Sequence, residues 1–177
     1  MKSQMLFCLF VIAFVASTAV SIQAQQAVHP IEGYDGVQFG STFHELKERL
    51  ASVPGISKKA SGEPLLEKVP TKAYYRYYVQ RSKAKGELTS EVSIYFRDGK
   101  VTQFRDVFGG THVGTSESAS RTFNEKVKEL TKLWGAPTTK RKLLATWGRD
   151  DRKAVLSLEL PANQYALPIL KLTVTGK

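Results

Sequence analysis

Cysteine is almost missing from this chain: among 177 residues there is one, Cys8. It sits inside the N-terminal apolar run, so the rest of the sequence has no thiol for a disulfide scaffold or a thiolate metal site. Histidine is scarce as well, with three copies at His29, His44 and His112. They are scattered over a lead-in, a helix flank and a loop, and the sequence predicts neither a metal centre nor any other cofactor. There is no Asn-x-Ser/Thr glycan acceptor, no Gly-x-Ser-x-Gly nucleophile elbow and no phosphate-loop pattern. A secreted animal domain of this size usually carries disulfides, so the composition fits a bacterial periplasm or cell exterior better.

Long apolar runs are lacking too, apart from Met5 to Ala16. Lys2 precedes that run and the small-residue exit Ile22-Gln23-Ala24 follows it, the three parts of a cleavable secretory signal. The run is shorter than the roughly 20 apolar residues that span a bilayer. A lipid anchor needs a cysteine just after the apolar stretch, and Cys8 lies in its first half. The sequence therefore predicts a signal peptide at 1–24, a flexible lead-in at 25–35 broken by Pro30 and Gly33, and one domain at 36–177. It places the protein in the periplasm or outside the cell, with no transmembrane span after cleavage.

What is abundant is positive charge: 26 Lys and Arg against 16 Asp and Glu, a net +10. It gathers at Lys58-Lys59, at Arg81, Lys83 and Lys85, at Lys140-Arg141-Lys142, and at Arg149 with Arg152-Lys153. Nucleic acid suits such clusters when Tyr and Arg accompany them, but export argues against that partner. An extracytoplasmic protein or an anionic envelope surface remains.

Periodicity supplies the elements. A short strand at 37–39 is followed by Gly40-Ser41-Thr42, where Glu45 stands three residues after Thr42 as a capping box requires. Phe43, Leu46, Leu50 and Val53 then mark one helical face, which Pro54-Gly55 ends. Alternation predicts strands at 73–81, 88–97 and 100–108, the last two joined by Asp98-Gly99, a tight-hairpin signal. A second helix runs from about Ser118 to Trp134 with Phe123, Val127, Leu130 and Trp134 in one stripe, and Gly135 and Pro137 close it. Three more strands follow at 141–148, 153–160 and 167–175. Amphipathic helices and half-buried strands are satisfied together by an α+β fold, an antiparallel sheet with two helices packed on one face. The order reads as two tandem α-β-β-β units, 36–110 and 111–177.

The halves share their punctuation. Gly40-Ser41-Thr42, Leu46, Leu50, Pro54-Gly55, Tyr77-Tyr78 and Val92 through Val101 in the first correspond to Leu130, Trp134-Gly135-Ala136-Pro137, Thr146-Trp147 and Val155-Leu156-Ser157-Leu158 in the second. This pattern resembles small exported proteins related to the accessory lipoprotein of the outer-membrane β-barrel assembly machine. In its doubled form it resembles the tandem-repeat β-lactamase inhibitor protein. Both families present a surface to another protein, so the resemblance implies a binding role. The chain departs from the first in lacking a lipobox and from the second in lacking disulfides, and no functional residue carries over.

Two stretches carry candidate sites. In the strand from Ala73 to Arg81, side chains alternate, so Tyr75, Tyr77 and Val79 share one face while Tyr74, Arg76 and Tyr78 share the other. The next strand splits similarly, with Val92, Ile94 and Phe96 inward and Tyr95 and Arg97 outward. Tyrosine and arginine on an open face favour protein binding, which nominates Tyr74, Arg76, Tyr78, Tyr95 and Arg97. The alternative is a small periplasmic hydrolase or anion-binding enzyme centred on the loop 109–118, with His112, Thr115, Ser116 and Ser118 as an anion site at a helix N-terminus. A third reading is a ligand pocket between helices and sheet. The expected function is a non-enzymatic, protein-binding or inhibitor-like module of the bacterial envelope.

Overall fold

The first helix is started by its cap. The Thr42 hydroxyl accepts from the Glu45 N–H at 3.4 Å, and the Glu45 carboxylate accepts from the Thr42 N–H at 2.7 Å. This is the reciprocal box that the spacing predicts. The Thr42 backbone N–H is also the main reason that the Glu45 carboxyl titrates below its usual range. A computed structural model describes residues 30–70, 74–80, 89–108, 115–149, 151–162 and 166–176. In it, α1 spans Phe43–Ala51 and buries Leu46 and Leu50. Helix α2 spans Ser116–Trp134 and buries Ala119, Phe123, Val127, Leu130 and Trp134, the expected stripe with one alanine added. Gly135, at φ 79°, ends it with its N–H on the Thr131 carbonyl.

Ten strands accompany the helices: β1 Gly33–Tyr34, β2 Val37–Gln38, β3 Glu67–Lys68, β4 Tyr74–Gln80, β5 Thr89–Arg97, β6 Lys100–Phe108, β7 Thr139–Arg141, β8 Leu144–Arg149, β9 Arg152–Glu159 and β10 Ile169–Gly176. β1 and β2 form a small hairpin, and the other eight form one sheet in the order β3-β4-β5-β6-β10-β9-β8-β7. Every pairing in that sheet is antiparallel. The α+β class follows.

Register shows which face the helices cover. Tyr75, Ile94, Phe104, Val174, Ala154 and Trp147 stand side by side across six strands. The Phe43 ring of α1 lies 4.5 Å from Tyr75 at one end of this row, and Trp134 of α2 lies 6.0 Å from Trp147 at the other. Both helices thus pack on the same face, over a core that includes Val92, Leu156, Leu170 and Leu172. Among the described residues, no helix is long and apolar enough to cross a membrane.

The lead-in differs from the expectation. From Ile31, which is 3 % exposed, the chain is built into the core instead of lying loose. Asp35 and Gly36 take φ values of 50° and 73°, the left-handed pair that a tight hairpin needs. The turn delivers two side chains to the helix-covered face: the Tyr34 hydroxyl donates to the Asp106 carboxylate at 2.5 Å, and Asp35 accepts from the Tyr77 hydroxyl at 2.8 Å. Asp106 and Tyr77 are fully buried there, flanking Val92 in one row. Two further corrections are short edge strands, β3 and β7, that alternation did not reveal. The expected strand at 141–148 divides at the turn of the β7–β8 hairpin. The signal segment and residues 25–29 lie outside the described residues.

Candidate functional site

With both helices on one side, no helix among the described residues covers the opposite sheet face. Successive strands bring Glu67, Arg76, Ser93, Arg105, Thr173, Val155, Thr146 and Thr139 into one continuous row across all eight strands. A second row holds Tyr78, Glu91, Val107, Lys171, Ser157, Leu144 and Arg141, and a third holds Tyr74, Tyr95, Gln103, Thr175 and Lys153.

Four of the five face residues nominated from sequence, Tyr74, Arg76, Tyr78 and Tyr95, meet in this patch. Tyr74 and Tyr95 are directly cross-strand, their ring centroids 5.0 Å apart. Arg76 sits between two carboxylates, Glu67 at 3.3 Å and Glu91 at 3.7 Å. It is therefore a paired cation that braces β3, β4 and β5. Arg97 is exposed at the end of the β5–β6 hairpin, opposite Lys100 and apart from the Arg76 network. The inward set behaves as the alternation predicts: Tyr77 and Val79 are buried, and Tyr75 packs on Phe43 and Phe96.

Tyr78 stands beside Glu91, and desolvation followed by the Glu91 charge pushes its hydroxyl above the ordinary tyrosine range. A neutral Tyr78 then contributes stability below the unfolded value of about 10 and loses that contribution as pH rises through the folded one. NMR of ring-labelled protein should show Tyr78 ionising late, with Glu91→Gln moving it part of the way back. A Tyr78 curve unchanged by Glu91→Gln would contradict the assigned partner.

The loop nominated as an anion site falls mainly on 109–114, so His112 lies outside the described residues. The hydroxyls that follow it are engaged in starting α2. Thr115 is the N-cap and accepts from the Ser118 N–H at 3.4 Å, while the Ser118 hydroxyl donates to the Thr115 carbonyl at 2.9 Å. Ser116 is exposed in the first turn, where its carbonyl accepts from the Ser120 hydroxyl. This is capping geometry. Of the other histidines, His44 is exposed on α1, 3.3 Å from Glu48. Among the described residues, no three His, Cys, Asp or Glu side chains gather as metal ligands.

Two recesses lie among the described residues. A groove of about 480 Å³ separates the β1–β2 hairpin from the C-terminal half of α2, and its charged lining residues are Glu32, Asp35 and Glu129. Glu129 is held by Lys126 at 2.6 Å, and Leu133 at the rim is 54 % exposed. The second recess, about 670 Å³, opens at the β7–β8–β9 end, and its lining among the described residues is Thr138, Thr139, Thr146, Gly148, Arg149 and Lys153, none of them a carboxylate.

Sequence reasoning missed Asp106, Glu67 and the second recess. The signal for Asp106 was present, since it falls between Phe104 and Phe108 at an inward position of an alternating strand. Fold and face together define a class, an α+β protein with a helix-covered side and an open, polar-aromatic sheet surface. Beyond the class, no known protein family, characterised protein or solved structure matches this chain. The resemblance drawn from the punctuation of the two halves gains no support from those comparisons.

Proposed function

We propose that the protein is a non-enzymatic binding module of the bacterial envelope or exterior, and that it holds another protein against the open face of its eight-stranded sheet. The observation that carries this reading is the sheet face that no helix covers among the described residues, with the Tyr74–Tyr95 pair and the Glu67–Arg76–Glu91 network at one end. Eight strands at about 4.8 Å spacing, averaging between six and seven residues at about 3.3 Å, give roughly 800 Å². That matches the ~800 Å² per partner of a standard interface. Tyrosine suits such a surface because it adds contact area at little entropic cost. An exported, unanchored location fits the N-terminal signal pattern.

The tandem-unit reading belongs here as well. Each helix precedes four strands, and the sheet order is palindromic, with the last strand of each half meeting at the centre. A doubled unit produces that arrangement directly. The alternative hydrolase reading is weakened by the capping roles of Thr115 and Ser118.

The test is a photo-crosslinker at Gln103, in the middle of the open face, compared with one at the exposed Lys128 of α2. In extracts of the envelope, a defined adduct should form from Gln103 and not from Lys128. Tyr74→Ala with Tyr95→Ala should reduce it about tenfold or more, since central aromatics each contribute over ~1 kcal/mol at interfaces. Adducts formed equally from both positions, or insensitive to the tyrosines, count against the face.

A further inference from the structure

Charge on the open face is unevenly spent. Its acids at outward ladder positions are Glu67, Glu91 and Glu159, and each is engaged: the first two by Arg76, the third by Lys171 at 2.5 Å. The outward cations Arg97, Lys100, Arg105, Arg141 and Lys153 have no ion pair among the described residues, and all five are exposed. Arg105 occupies the centre of the sheet, and Lys153 lines a recess with Arg149 and three threonines, in which no carboxylate appears among the described residues. Around these cations the face is otherwise small and mixed: Val107, Val155, Ser157, Thr146, Thr173 and Thr175. Beside the aromatic pair Arg76 is spent on its two carboxylates, whereas the centre and far half of the face are positive.

Resting on the binding-face reading, we infer that the partner is an acidic protein whose carboxylates meet Arg105 at the centre of the sheet and enter the Thr138–Thr139–Thr146–Arg149–Lys153 recess, while its apolar part covers Tyr74 and Tyr95. Charge complementarity fixes the polarity of the encounter. At the outward ladder positions of the described residues a basic partner meets five cations without an ion pair and no carboxylate without one, whereas an acidic partner leaves the internal pairs of Arg76 and Lys171 intact. Free cations at exposed positions speed encounter and choose between partners more than they add affinity, so salt dependence is the signature of this half of the face.

Decaglutamate serves as the probe, followed by backbone amide NMR of the isotopically labelled protein, with decalysine, inorganic phosphate and phosphatidylglycerol vesicles in parallel. Decaglutamate should shift the amides of Arg105, Thr146, Gly148, Lys153 and Thr173, with an apparent Kd that rises steeply with salt. Arg105→Glu with Lys153→Glu should weaken it at least tenfold, and because both side chains are exposed the fold should survive, as unchanged amide dispersion will show. Shifts centred on Lys58-Lys59, no shifts on this face, or equal binding of decalysine overturns the inference. So does phosphate producing the same shifts at equal charge, which makes the recess a small-anion site, or vesicles binding through these residues where decaglutamate does not. If the Gln103 adduct depends on Tyr74 and Tyr95 yet ignores Arg105→Glu with Lys153→Glu, the acidic partner fails and the binding face stands. If it ignores all four, both fail.

Discussion

Trp147→Ala is expected to lower the free energy of unfolding by about 4 kcal/mol, the upper part of the range for emptying a large buried aromatic site. The indole is fully buried at the end of the row that begins with Tyr75. It does two things at once. Its ring meets Trp134 nearly edge-on at 6.0 Å, and its Nε1–H donates to the Gly135 carbonyl at 3.1 Å, just past the end of α2. The residue therefore fastens the last turn of the long helix to β8. With a urea m-value of about 2 kcal/mol per molar, the midpoint should fall by about 2 M. Trp147→Phe separates the two roles, since it keeps a ring and removes the donor, and about 1–2 kcal/mol of loss is expected from the stranded carbonyl. A change below about 1 kcal/mol for the alanine variant would mean that α2 is held to the sheet by other contacts.

The next residue carries the second large effect. Gly148 adopts φ 76°, and a Cβ there would lie 2.1 Å from the Arg152 carbonyl oxygen and 2.9 Å from Cδ1 of Ile31. A branched side chain meets three penalties: a left-handed backbone costing about 1–2 kcal/mol, a clash with main chain that cannot rotate away, and displacement of the residue that anchors the N-terminal hairpin. Gly148→Val should destabilise by about 3 kcal/mol or more, placing it among the severe single substitutions. The loss should also show as earlier hydrogen exchange at Val37 and Phe39, because Ile31 leads into that hairpin. Gly36→Ala is the comparison: its φ is 73°, but nothing lies within 4 Å of the added carbon, so only the conformational term applies. Equal losses at the two glycines would refute the steric account.

What was legible depended on length and period. The helices were readable because their apolar stripes run over many turns and their caps are spelled out by Thr42, Glu45 and Gly135. The long strands β4, β5, β6 and β9 alternate over enough residues to reveal a face, and the Tyr74/Arg76/Tyr78 split follows from parity alone. Strands β3 and β7 have two and three residues, too few for any period. Strand β2 overlaps the short strand expected at 37–39, but β1 falls inside the expected lead-in because its two residues, Gly33 and Tyr34, are too few to show a period, although Asp35-Gly36 is the same dipeptide that marks the β5–β6 turn at Asp98-Gly99. On the candidate face, residue type and side were readable, but the pairing state was not. Arg76 draws its partners from a short edge strand and a neighbouring ladder, and those depend on register. Likewise, which cations are left over depends on register, because Glu67, Glu91 and Glu159 find their partners across strands.

The palindromic order of the sheet has a consequence for the time course of folding. Strand β6 pairs on one side with β5, its immediate neighbour in sequence, and on the other with β10, with Phe104 opposite Val174 and Phe108 opposite Leu170. Until β10 is in place, the first half offers an unpaired edge at what becomes the middle of the molecule, and such an edge is where chains add to one another wrongly. The finished sheet instead ends in the two shortest strands, one of them Thr-Lys-Arg and wholly exposed, a poor template for further pairing. Closure is thus a long-range, late event, so the interval in which chains can pair wrongly is set by how soon the second half folds.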